Sequence, residues 1–131
     1  MGLQWLELLV LLNFLYPLLF ILMGFVWGKY PQKDMNAGTR CYTSKIARKS
    51  QANWDFAQKT AATIFWHNGW VIFCIMCSLR VFTMWAVPKL FDDVYLFWLY
   101  EIGIAILIGS IFIHASMHMV NKVVKAFEDS I

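Results

Sequence analysis

The chain has 131 residues, 60% of them hydrophobic and only 15% charged, with a formal net charge of +3. An ordinary soluble domain runs at about 45–50% apolar and about 25% charged residues, so composition argues against a soluble enzyme or nucleic-acid module. The length allows one domain and no second module.

Three apolar stretches, Leu3–Trp27, Thr60–Val87 and Val94–Ile113, each reach the roughly 20 residues a bilayer crossing needs. The fold class expected is an all-α membrane protein with three transmembrane helices. The spans are placed at about 3–28, 58–87 and 94–118, the intervening loop at 29–57 and the tail at 119–131. The first span is too long, and lacks the basic lead, for a cleaved signal peptide. Asn13 and Pro17 fall near its mid-depth, and Pro17 removes a backbone donor and should kink it. Pro31 helps to stop it.

The stretch Lys29–Lys59 carries Lys29, Lys33, Arg40, Lys45, Arg48, Lys49 and Lys59, seven of the chain's 11 basic residues. Cytoplasmic loops concentrate Lys and Arg, so the loop is expected inside, with the N-terminus outside and the C-terminus cytoplasmic. Lys122 and Lys125 after the third span agree with this, whereas the 88–93 connection sets only Lys89 against Asp92 and Asp93. The basic loop should also attract anionic lipid of the inner leaflet, at about 1 kcal/mol per cation. Trp5, Trp27, Tyr30, Trp54, Trp85 and Tyr95 lie near span ends, where amphipathic rings settle at headgroup level.

Residues 31–44 read as irregular. A helical pattern begins at about Ser50, with Trp54, Ala57, Ala61 and Ile64 at spacings of three and four. A short amphipathic helix should therefore run straight into the second span, which Pro88 ends. In the third span, Met117, Val120, Val124 and Phe127 carry an amphipathic pattern into the tail. Gly103 and Gly109 are candidate points of close helix approach.

Two stretches of the loop, Asn36-Ala-Gly38-Thr-Arg40-Cys-Tyr42-Thr-Ser44 and Lys49-Ser50-Gln-Ala-Asn-Trp54-Asp-Phe56-Ala-Gln58-Lys59, resemble the SdpI/YhfL family of small bacterial membrane proteins. Lys49, Ser50, Trp54, Phe56, Ala57 and Gln58 match the family's Lys-Asn/Ser-x-x-x-Trp-x-Phe-Ala-His/Gln block. The first stretch departs from the family's Gly-Tyr-Arg-Thr-like turn, because Gly38-Thr39-Arg40 lacks the Tyr and Tyr42 stands without the Arg. The resemblance implies a multi-pass protein of the bacterial plasma membrane. It also implies an immunity or signalling role: protection from a secreted peptide toxin, or retention of a cytoplasmic regulator at the membrane. Such a role needs a surface and no catalytic centre.

The residues by themselves allow two roles for this junction. Trp54 can anchor the helix at the interface while Lys49 and Lys59 meet lipid phosphates. Alternatively, Arg40, Arg48 and Lys49 form a docking patch for a partner.

Ionisable residues within spans are functional candidates by default. Glu7, Arg80 and Glu101 fall at similar depth and form a candidate outer cluster, either pairing the helices or serving as a proton or toxin-contact site. His67, Asn68, His114 and His118 form a candidate inner set. His114 and His118 are four apart and share a helix face, a spacing that can bind metal, and His67 opposite His114 is the arrangement a haem would need. With no carboxylate partner, interhelical hydrogen bonding is the favoured role, and no metal or cofactor is expected. Cys74-x-x-Cys77 reads as small apolar packing residues. No nucleophile–base–acid set is evident, so an enzyme is not expected. The remaining alternatives are a structural or accessory subunit of a larger membrane complex, such as a transporter or toxin-maturation assembly, a homo-oligomer, and a metal- or haem-binding subunit.

Overall fold

The computed structural model describes residues 2–35 and 41–131, with side chains in the first helix from Glu7 onward. The described residues are all-helical, apart from connecting segments. Helix α1 spans Gly2–Lys29, α2 spans Gln51–Ala86 and α3 spans Val94–Ser130. Short 3-10 turns at Ala47–Lys49 and Pro88–Phe91 precede α2 and α3. All three helices are long and apolar enough to cross a membrane. At 1.5 Å per residue, α2 and α3 extend about 55 Å, well beyond an apolar layer of about 30 Å.

Local chemistry sets the helix ends. Ser50 is extended, and its Oγ accepts the Asn53 N–H at 3.0 Å, an N-cap that starts α2. Asp93 caps α3 by accepting from the N–H groups of Tyr95 and Leu96. Pro88 sits at the start of the turn that follows α2, where a proline needs no donor. Helix α1 continues through Pro17, which is buried.

Packing is uneven along the bundle. Trp54, Ala57, Ala61 and Ile72 of α2 are fully buried with Val120 and Val124 of α3. Phe65, rather than the predicted Ile64, continues this stripe; it stacks on Phe20 with ring centroids 5.3 Å apart and takes the edge of Trp27 at 5.2 Å. Met117 of the predicted tail stripe is exposed, while Phe127 stacks on Phe56 at 4.1 Å. The tail of α3 therefore packs on the first turns of α2.

The close helix approach is not where the α3 glycines suggested. A Cβ at Gly103 or Gly109 would meet no atom within 4 Å. It is Gly24 and Gly69 that bring α1 and α2 together. A Cβ at Gly24 would lie 2.5 Å from the Trp66 backbone nitrogen, and one at Gly69 2.8 Å from that of Ile21. Gly24→Ala and Gly69→Ala should each destabilise by about 1–3 kcal/mol, because backbone cannot yield as a side chain can. Gly103→Ala should be neutral or stabilising by up to about 1 kcal/mol. Thermal unfolding in detergent separates the two classes.

Candidate functional site

Two polar centres join the helices, one toward the 87–93 end of the bundle and one at the 29–50 end. The first is built on Glu101, a carboxylate with no exposed surface. Arg80 of α2 forms an ion pair with its Oε1, and Asn13 of α1 donates to its Oε2 and, at 3.1 Å, to its backbone carbonyl. One residue from each helix thus meets at one point. Three rings surround the guanidinium: the centroids of Phe14, Phe97 and Tyr100 lie 5.5, 5.9 and 5.6 Å from its central carbon. Arg80 Nη2 is buried and has no hydrogen-bond partner among the described residues. The aromatic faces stabilise the cation from the side instead. Tyr100 extends the network by donating to Thr83 Oγ at 2.9 Å, and Thr83 donates to the Leu79 carbonyl.

Arg80 and Glu101 come together as the sequence suggested, but Glu7 does not join them. Glu7 is exposed and lines a separate groove of about 540 Å³ with Val10, Leu11, Phe91, Asp92 and Phe97. Similar depth is not enough, because position around the helix decides which residue faces the bundle. Asn13, six residues further along α1, is the one that faces Glu101.

The second centre is the Trp54 block. Trp54 has no exposed surface, and its indole N–H donates to the Gln32 carbonyl at 2.8 Å. It therefore neither sits as a headgroup anchor nor presents an aromatic face to a partner; it pins the chain that leaves α1 against α2. The buried Gln58 donates to the Tyr42 carbonyl at 2.7 Å. The Tyr42 hydroxyl lies 2.5 Å from Asn121 Oδ1 on α3, and burial pushes this phenol above its ordinary range. Lys49 pairs with Glu128 at 3.3 Å rather than standing free for lipid phosphate. Asn53 donates to the other Glu128 oxygen at 2.7 Å and to the Ile46 carbonyl. The exposed cations Lys33, Lys45 and Arg48 lie around this clamp. Asn36, Gly38 and Arg40 of the first stretch lie outside the described residues.

The Asn53 bond above all, together with the Lys49 and Lys125 ammonium groups, holds the Glu128 carboxyl below its ordinary 4.5. A depressed carboxyl stabilises the fold above its unfolded value and loses that contribution as pH falls through the folded one. The advantage of the parent over Glu128→Gln in thermal unfolding should therefore be full at neutral pH and disappear on acidification below 4.5.

The inner set divides. Asn68 donates to Ser116 Oγ at 2.7 Å and so links α2 to α3. His67, His114 and His118 are exposed and take part in no hydrogen bond or ion pair among the described residues. The interhelical bonding expected of the histidines falls to Asn68 alone. No group of three or more His, Cys, Asp or Glu residues is placed to hold a metal among the described residues. All three cysteines are thiols; Cys74 is exposed on α2 rather than packed, and Cys41 is buried beside Tyr42.

Asn53, Asn121 and Glu128 were missed from the sequence, and Asn13 was noted only for its depth. For Asn121 and Glu128 a signal was present: they lie three and four residues from Val124 on α3, and polar residues beside that apolar stripe need partners.

Among the described residues the fold is all-helical, with three helices long and apolar enough to cross a membrane, consistent with a multi-pass membrane protein. No family model, no curated protein and no solved structure matches the chain.

Proposed function

We propose that this chain is a non-catalytic plasma-membrane protein of the immunity or signalling type that the SdpI/YhfL resemblance implies. Its N-terminus lies outside, and residues 29–50 and the α3 tail lie in the cytoplasm. The observation that carries the reading is the groove between α1 and α3. It is lined by the apolar side chains of Val10, Leu11 and Val94, by the rings of Phe91 and Phe97, and by two carboxylates, Glu7 and Asp92. Apolar surface with aromatic rings and negative charge suits a segment of a secreted peptide that carries both apolar residues and a cation. In the proposed orientation the groove opens on the outer side, where such a peptide arrives. On the opposite side, Lys33, Lys45 and Arg48 remain exposed for an acidic cytoplasmic regulator.

The test is survival of cells challenged with peptide toxins, measured alongside membrane abundance. Glu7→Gln with Asp92→Asn should abolish protection at unchanged abundance. Protection that only follows protein level would remove the groove from the mechanism.

A second reading, a subunit of a larger membrane complex or a homo-oligomer, is favoured by the exposed imidazole of His67. It lies in the span of α2, where a polar ring facing lipid is costly and a partner would shield it. A stoichiometric large partner retained in mild detergent would support this reading over the first.

A further inference from the structure

We infer that the 29–50 end of the α1–α2 pair is a built site for one anionic phospholipid. This is independent of the orientation and partner proposed above. A groove of about 480 Å³ runs there between the two helices, and small residues make it. Gly24 seats the α2 backbone against α1, and beside it Gly28 and Ala62 leave the seam without bulk. Phe25 and Trp66, with ring centroids 6.3 Å apart, line it on the side away from the 29–50 end. One turn closer to the 29–50 end lie Lys29 and Thr63, also in its lining. Apolar walls thus lie toward the membrane interior, and a cation and a hydroxyl lie toward its surface. That is the polarity of a phospholipid entering from the bilayer.

The charged end is prepared for a phosphate. The Lys29 ammonium lies 5.7 Å from the Phe25 centroid and 5.6 Å from that of Tyr30, so two rings hold it at the groove mouth. Lys29 forms no ion pair among the described residues, so its charge remains available to a ligand. Lys59 is exposed one turn before Thr63 on the same face of α2 and adds a second cation. Thr63 spends its proton on the Lys59 carbonyl at 3.2 Å, so its oxygen is left to accept. A headgroup with both a phosphate and a hydroxyl fits this set: phosphate to Lys29, hydroxyl to Thr63, and the first part of an acyl chain against Phe25 and Trp66. Phosphatidylglycerol has that chemistry, whereas phosphatidylcholine cancels its phosphate with a quaternary amine and brings no donor.

The full chain in mild detergent is titrated with phosphatidylglycerol or phosphatidylcholine, and the melting temperature and the number of bound lipids by native mass spectrometry are read together. The parent should melt several degrees higher with phosphatidylglycerol than with phosphatidylcholine and retain one lipid. Lys29→Gln should weaken this apparent affinity about fivefold, the worth of one cation at a membrane surface. Gly28→Leu should abolish the retained lipid by filling the groove. A Cβ at position 28 lies 3.6 Å from that of Ala62, an ordinary contact, and the melting temperature in phosphatidylcholine checks that the variant still folds. Lys33→Gln, an equal charge loss outside the groove, should bind as the parent does. The inference is overturned if Lys33→Gln loses as much as Lys29→Gln, since the attraction is then diffuse. It is equally overturned if the parent shows no preference between the lipids. Should Gly28→Leu disrupt a cross-linked dimer while leaving lipid binding intact, the groove belongs to a second copy of the chain. Thr63→Val, which keeps the volume and removes the acceptor, gives an independent reading; unchanged phosphatidylglycerol affinity in both it and Lys29→Gln counts against the site.

Discussion

Arg80→Leu should cost about 3–5 kcal/mol in detergent unfolding, and Glu101→Leu at least as much. Each removes one side of an ion pair whose carboxylate has no exposed surface and whose guanidinium sits among three rings. The two losses differ in kind. A carboxylate left alone can be neutralised by a proton, whereas a guanidinium keeps its charge and must be solvated by distortion or water. Glu101→Leu also strands Asn13, whose amide donates to that carboxylate. Replacing Arg80 and Glu101 together by Leu should recover most of the stability, because the desolvation of both charges is removed along with their attraction. The check is a double-variant cycle. A double variant as damaged as the sum of its parents would show that the pair does not act as a unit. If the recovered double variant still lacks protection or partner capture, the charges serve function rather than assembly alone.

Trp54→Ala should destabilise by about 3–5 kcal/mol and lower membrane abundance, since it empties a fully buried site in the core. Trp54→Phe is the more telling change. A headgroup anchor would tolerate it, but here it leaves the Gln32 carbonyl without the indole donor and should cost about 1 kcal/mol besides the lost volume. Gln58→Leu should behave similarly, because the Tyr42 carbonyl then loses its donor. Thermal unfolding of the three variants beside membrane abundance checks this. A silent Trp54→Phe would mean that the clamp between the loop and α2 contributes nothing. Activity that falls with abundance in the Trp54 variants would be structural in origin, so a functional role for this end of the molecule rests on the exposed cations around it.

Much of the architecture was legible in the residues alone. Length and hydropathy set three helices, and Ser50, Pro88 and the Trp54–Ala57–Ala61 spacing placed the boundaries of α2. These are local properties, set by capping, proline stereochemistry and the 3.6-residue period. Arg80 with Glu101 was legible as well, because an isolated charge in an apolar span needs a partner and few are at hand.

What the sequence leaves open are relations around the helix axes and across long separations. Glu7 and Asn13 both lie on α1, and only the rotation of that helix against α3 sends Asn13 to Glu101 and leaves Glu7 in a groove. Gly24, Gly69, Gly103 and Gly109 are the same residue type, yet only the first two meet another backbone, because α1 packs closely on α2 while α3 leaves its glycines open. Trp54 reads as an interfacial anchor from its position, but it is fully buried, with its indole N–H bound to the Gln32 carbonyl just after α1. The sequence determined which segments are helical and where charge must be paired. The tertiary structure decided which face of each helix the bundle covers, and so which of these polar and aromatic residues are scaffold and which are left to meet lipid or a partner.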